Sequence, residues 1–97
     1  MPEKTDRAHL SATVYGRVQG VFFRDFVRTT AIKLGLTGYV RNLPRGDAVE
    51  VHAEGPVSSL ELLVSRLKTG PRGADVSEVE TDWSGYSGEF QGFGIRY

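Results

Sequence analysis

The sequence predicts an α+β sandwich, with two helices covering one face of an antiparallel sheet. Three observations lead there. Polar and apolar residues alternate in three separate stretches, as in strands with one buried face. Two other stretches repeat their apolar residues at helical spacing. The order of the elements is strand, helix, strand, strand, helix, strand, which is two βαβ-like halves in one chain. Right-handed crossovers then place both helices on the same side of the sheet.

Met1 to Ala8 are polar and without period, and are expected to form a flexible N-terminal tail, leaving residues 9–97 as a single domain. Leu10, Ala12, Val14 and Gly16 alternate with Ser11, Thr13, Tyr15 and Arg17, the pattern of a first strand. A helix is expected from about Phe22 to Leu34. Phe23, Phe26, Val27, Ala31 and Leu34 share one face, Arg28, Thr29 and Lys33 lie opposite, and Gly35 is placed to end the helix in a left-handed turn.

Thr37 to Asn42 form the second strand and Leu43 to Asp47 a turn containing Pro and Gly. In the third strand, Ala48 to Glu54, Val49, Val51 and Ala53 point inward and Glu50, His52 and Glu54 outward. Pro56 suits the first turn of the next helix, in which Leu60, Leu63, Val64 and Leu67 recur at helical spacing before Gly70-Pro71 ends it. Val76 to about Tyr86 is a weaker fourth strand, with Val79, Thr81 and Trp83 on one face, and Phe93 to Tyr97 supplies a short fifth. The whole is a ferredoxin-like βαββαβ sandwich.

Composition narrows the function. Ninety-seven residues suffice for one core without staples, and 39% apolar with 25% charged is ordinary for a globular chain. Cysteine is absent, so disulfides, zinc–thiolate sites and thiol nucleophiles are excluded. No apolar run reaches the length of a membrane span and there is no signal-peptide core, so a cytoplasmic protein with no membrane partner is expected. Net charge is zero but unevenly spread. Residues 1–46 hold eight Lys/Arg and three acids, and residues 47–97 four and nine. A small anion drawn to the basic half fits this balance better than nucleic acid.

The stretch Gly16-Arg-Val-Gln-Gly-Val-Phe-Phe-Arg24 is the most informative. It joins a strand end to a helix start, where several backbone N–H groups lack intrachain partners and can hold a phosphate. Arg24 falls in the first helical turn, where its charge opposes the helix dipole and a bound anion would resolve the conflict. The bland alternative for Arg24 is a surface ion pair, for instance with Asp25. A helix of about 12 residues retreats roughly 18 Å, and a strand of about six residues returns roughly 20 Å, so Asn42 is expected level with the loop. Spacing alone also allows Asn42 to be a turn residue before Leu-Pro.

These residues resemble both signature segments of the acylphosphatase family, Tyr15-Gly-Arg-Val-Gln-Gly-Val-Phe-Phe-Arg24 and Gly38-Tyr-Val-Arg-Asn42. The resemblance continues through Asn42-Leu-Pro-x-Gly46, Val49-Glu-Val-His-Ala-Glu-Gly55 and Tyr86-Ser-Gly-Glu-Phe-x-x-Phe-x-Ile-Arg-Tyr97, covering nearly everything after the tail. One departure is an extra residue in Gly46-Asp47-Ala48-Val49, which lengthens a hairpin and is expected to alter the rim of the site.

The resemblance implies a ferredoxin-like hydrolase that splits acyl phosphates into carboxylate and inorganic phosphate. In that reading Arg17, Val18, Gln19, Gly20 and Val21 bind the phosphoryl oxygens through their N–H groups, together with the Arg24 guanidinium. Asn42 orients the attacking water in line with the leaving group, and no phosphoenzyme forms. Arg24 and Asn42 are thus the expected catalytic pair. No cofactor and no metal are expected, because there is no Asp-x-Asp and neither His9 nor His52 has metal-ligand spacing to acids. A small acyl phosphate is the expected partner and the protein an expected monomer.

Two other classes compete. An accessory anion-binding module, similar to the acylphosphatase-like domain of hydrogenase maturation proteins, would continue well past Tyr97. An RNA-binding module shares the element order but needs stacking aromatics on the central strands, where this chain has outward acids. Of the remaining aromatics, Phe22 and Phe23 are expected in the core, with Phe22 the candidate for the pocket rim, and Trp83 and Tyr97 in packing roles. His52 is expected to be solvated.

Overall fold

The computed structural model describes residues 6–44 and 46–97. Its elements are β1 (Arg7–Arg17), α1 (Phe23–Lys33), β2 (Thr37–Asn42), β3 (Ala48–Pro56), α2 (Val57–Thr69), β4 (Asp75–Gly85) and β5 (Phe93–Arg96). The expected order of strands and helices is therefore present. Several boundaries shift by a residue or two, and two of the shifts change a residue's role. Arg7 and Ala8, assigned to the tail, extend β1 and pair with Pro56 and Gly55 of β3, while residues 1–5 of that tail lie outside the described residues. Pro56 ends β3 and immediately precedes α2 instead of entering it.

The five strands lie in the order β4-β1-β3-β2-β5. β1 pairs antiparallel with β3 and β4, and β2 antiparallel with β3. β5 pairs with β2 in parallel, so the sheet is mixed and not wholly antiparallel as expected. The reason is geometric: the chain leaves β4 at one edge, crosses the sheet, and re-enters at the opposite edge running alongside β2.

Alternation decides which residues face the helices. Leu10, Ala12 and Val14 of β1 and Val49, Val51 and Ala53 of β3 are fully buried, in register with one another. Phe23, Val27 and Ala31 of α1 and Leu60, Leu63 and Leu67 of α2 close over them as one core. Each of the valine, leucine and phenylalanine side chains among them contributes about 1.5–3 kcal/mol when fully withdrawn from water. α1 ends as expected. Gly35 takes a φ of 74°, and the N–H groups of Gly35 and Leu36 bond the carbonyls of Ile32 and Ala31 at 3.0 and 2.9 Å.

The second sheet face is also furnished. Glu54, expected to point outward, does so but is only 1% exposed, because residues 86–90 fold across it. Its carboxylate accepts from the Ser87 hydroxyl, from the N–H groups of Ser87 and Gly88, and from His9 at 2.7 Å. His9 in turn meets His52 at 3.0 Å, and His52 lies 3.4 Å from Glu50. His52 also stacks on Tyr39, so it is half-buried in a polar chain, not simply solvated. Trp83, expected to pack, is 42% exposed on the edge strand β4.

Candidate active site

The loop after β1 is built by two glycines. At Gly16, the φ of 128° and a bulge against β4 bring the backbone so near that a Cβ would sit 2.2 Å from the Asp75 carbonyl oxygen. Only glycine fits there. Gly20 has a φ of 77° and open space where a side chain would project. Between them Val18 turns inward and is buried, anchoring the loop to the core.

Gln19 ties this loop to the β2–β3 hairpin. Its side-chain amide donates to the carbonyl oxygens of Leu43 at 3.0 Å and Ala48 at 2.8 Å. Gly16 adds a backbone bond to the Asp47 carbonyl at 3.0 Å. These bonds bracket Asn42, which ends β2 opposite Val49. The N–H groups of Val18, Gln19, Gly20 and Val21 bond no carbonyl among the described residues. Directly after them α1 begins without a side-chain cap, so its own first N–H groups add to the same donor cluster.

A recess of about 440 Å³ opens at this point, lined by Val18, Gln19, Gly20, Phe22, Phe23, Arg24, Asp25, Asn42, Ile95 and Tyr97. The expected pair, Arg24 and Asn42, is thus brought together with the loop. Of the expected phosphate ligands, Arg17 and Val21 are not among the lining residues: Arg17 is exposed and paired with Asp75 in the sheet, while Val21 contributes its backbone N–H to the donor cluster. Arg24 forms no ion pair with another described residue, Asp25 included; its guanidinium instead lies 4.9 Å from the Tyr97 ring centre. Asn42 Oδ1 is buried and has no hydrogen-bond partner among the described residues. An acceptor left in that state costs about 1–3 kcal/mol unless something donates to it.

Sequence reading missed Asp25, Ile95 and Tyr97 as lining residues, and Tyr97, expected to pack, is instead 98% exposed at the recess. The return of β5 beside β2 brings Ile95 and Tyr97 there, and no local pattern encodes it. Phe22 is a correction in part. It lines the recess as the rim candidate but is 84% exposed, not core, because it adopts a left-handed conformation with φ 59°. The donors that converge are N–H and guanidinium groups, a set that suits an anion.

The acylphosphatase family model matches residues 10–95. The chain belongs to the acylphosphatase family. An acylphosphatase of Dehalococcoides mccartyi is 51% identical over 88 residues, covering 91% of this chain and 97% of that one. Among solved structures, an acylphosphatase from Coxiella burnetii superposes with a TM-score of 0.88 at 40% identity, covering 99% and 100% of the two chains. The acylphosphatase from Bacillus subtilis gives 0.89 at 37%, covering 93% and 99%. The protein is accordingly an acylphosphatase-type hydrolase on a ferredoxin-like frame. No helix of the described residues is long and apolar enough to cross a membrane.

Proposed function

We propose that the enzyme hydrolyses small acyl phosphates by direct in-line attack of water, with the phosphoryl group held by the loop N–H groups and Arg24 and the water held by Asn42. The observation that carries this is that Asn42, whose buried Oδ1 has no partner among the described residues, lines the same recess as Arg24 and as loop residues whose N–H groups bond no described carbonyl. An anion would satisfy the donors, and a water would satisfy the acceptor.

The chemistry asks little more. A carboxylate is a good leaving group, so the work is positioning and charge stabilisation. Arg24 presents a planar fork that meets two phosphoryl oxygens. Asn42 accepts a hydrogen bond from the water and fixes its lone pair toward phosphorus. A carboxamide is too weak a base to take the proton, which passes to a phosphoryl oxygen as the P–O bond to the acyl group breaks. The products are carboxylate and inorganic phosphate, with no covalent enzyme intermediate. The chain's own donors suffice for each step, so the reaction is proposed to be metal-independent.

The test is hydrolysis of benzoyl phosphate in the presence of a chelator. The parent is expected to be active and Arg24→Ala to lose at least ~10²-fold in turnover, the scale for one transition-state donor. Asn42→Ala is expected to lose most turnover while still binding inorganic phosphate. Loss of phosphate affinity in that variant would make Asn42 a substrate ligand and overturn its water-holding role.

A further inference from the structure

A second recess of about 440 Å³ lies in the groove between α1 and α2, with Phe22, Asp25, Phe26, Leu34, Leu62 and Arg66 among its lining residues. Phe22 and Asp25 line this recess and the phosphate recess alike, so the two meet at the first turn of α1. Asn42 lines only the phosphate recess. The groove also holds two of the protein's exposed large apolar side chains, Phe22 at 84% and Leu62 at 54%. Phe22 is the one non-glycine residue with positive φ among the described residues. Strain of that kind persists where a position is over-determined and clusters at ligand sites.

We infer that the α1–α2 groove is the acyl subsite, and that Phe22 and Leu62 select acyl phosphates carrying an extended apolar acyl group. This rests on the hydrolysis proposed at Arg24 and Asn42. In-line attack with water on the Asn42 side sends the acyl oxygen away from Asn42, and the rim shared with the second recess is the Phe22–Asp25 edge. Asp25 at that junction disfavours an acyl group with a negative charge close to its carbonyl and leaves an uncharged chain unaffected. Beyond it Phe26, Leu34 and Leu62 offer apolar surface, while Arg66 can lay its aliphatic stem along a chain and keep its charge in water. The volume lies in the range of small-molecule sites. Contact made equally in ground and transition states lowers KM and raises kcat/KM without changing kcat.

The experiment compares kcat and KM for acetyl phosphate and octanoyl phosphate in the full chain. A methylene fully withdrawn from water is worth about fourfold. A chain half-covered by the groove should favour octanoyl over acetyl phosphate by at least ~10-fold in kcat/KM, expressed in KM. Leu62→Asp should bring that ratio to within about threefold of unity, with Leu62→Gln, which adds no charge, moving it the same way. Ile32→Asp, an exposed α1 position outside the groove lining, should leave the ratio as it is. Hydrolysis of both substrates without preference, or a preference that survives both Leu62 variants, overturns the subsite alone. Hydrolysis of neither overturns the proposed reaction and the subsite with it.

Discussion

Gln19 and Ala48 are 29 residues apart in sequence, yet the Gln19 side-chain amide donates to the Ala48 carbonyl oxygen at 2.8 Å. With the companion bond to Leu43 at 3.0 Å, this one side chain locks the loop after β1 to the hairpin that carries Asn42. The loop supplies donors and the hairpin supplies the acceptor, so their separation is set by Gln19. Gln19→Ala removes two hydrogen bonds worth about 0.5–1.5 kcal/mol each, while both carbonyls keep a backbone partner. The expected outcome is a stability loss of about 1–3 kcal/mol. It is expected with a ~10- to ~10²-fold fall in kcat, the scale for roughly 1 Å of misplacement. Urea denaturation and steady-state kinetics check the two parts separately. A kcat unaffected by the substitution would show that the loop holds its position alone.

Gly16 takes a different load. A methyl group there would lie 2.2 Å from the Asp75 carbonyl oxygen and 2.8 Å from the Ser77 nitrogen, both rigid main chain of β4. Gly16→Ala therefore has to open the β1–β4 ladder at its bulge, on top of the unfavourable φ. A cost of at least ~2 kcal/mol is expected, which in a domain of this size lowers Tm by roughly 10 °C. Thermal unfolding followed by circular dichroism measures it, and a drop of under about 3 °C would mean that β4 yields easily.

Glu54 is expected to shape the acid limb of stability. Burial pushes its carboxyl up, but hydrogen bonds from His9, the Ser87 hydroxyl and the N–H groups of Ser87 and Gly88 together outweigh burial and bring it down to about 2. A carboxyl lowered on folding adds stability that is fully present above its unfolded value, near 4.5, and is lost as pH falls towards 2. Glu54→Gln should lower stability by about 1–3 kcal/mol at neutral pH. It should also flatten the dependence between pH 4.5 and 2. Urea midpoints at neutral pH and across that window decide it. An unchanged slope in the variant would move the acid sensitivity to other carboxylates, such as Glu50. That group's pKa is raised by burial but lowered overall by its bonds to Arg41 and His52.

Much of this architecture is legible in the sequence, for identifiable reasons. Leu10, Ala12 and Val14 announce β1 because alternation is a direct image of a half-buried strand. Asn42 could be placed level with the loop because a helix and a strand have fixed rises, and the recess does contain both Asn42 and Arg24. What stayed hidden depends on distant chain. The parallel pairing of β5 with β2 involves four residues, too few for a pattern, and partners far apart in sequence. Glu54 has the alternation of a solvated residue and is buried only because residues 86–90, which have no period, cross above it. The exposure of Phe22 follows from a backbone conformation that nothing about phenylalanine foretells.

An anion cradle made from main-chain N–H groups has an evolutionary corollary. Peptide donors are the same whatever side chain they carry, so such a site survives almost any replacement that preserves the path of the backbone. Glycine at positions 16 and 20, Gln19 as the tie, Arg24 and Asn42 form a short specification for the proposed chemistry. On the proposed reading, the groove between the helices, and with it the choice of acyl group, can change without altering how phosphate is held.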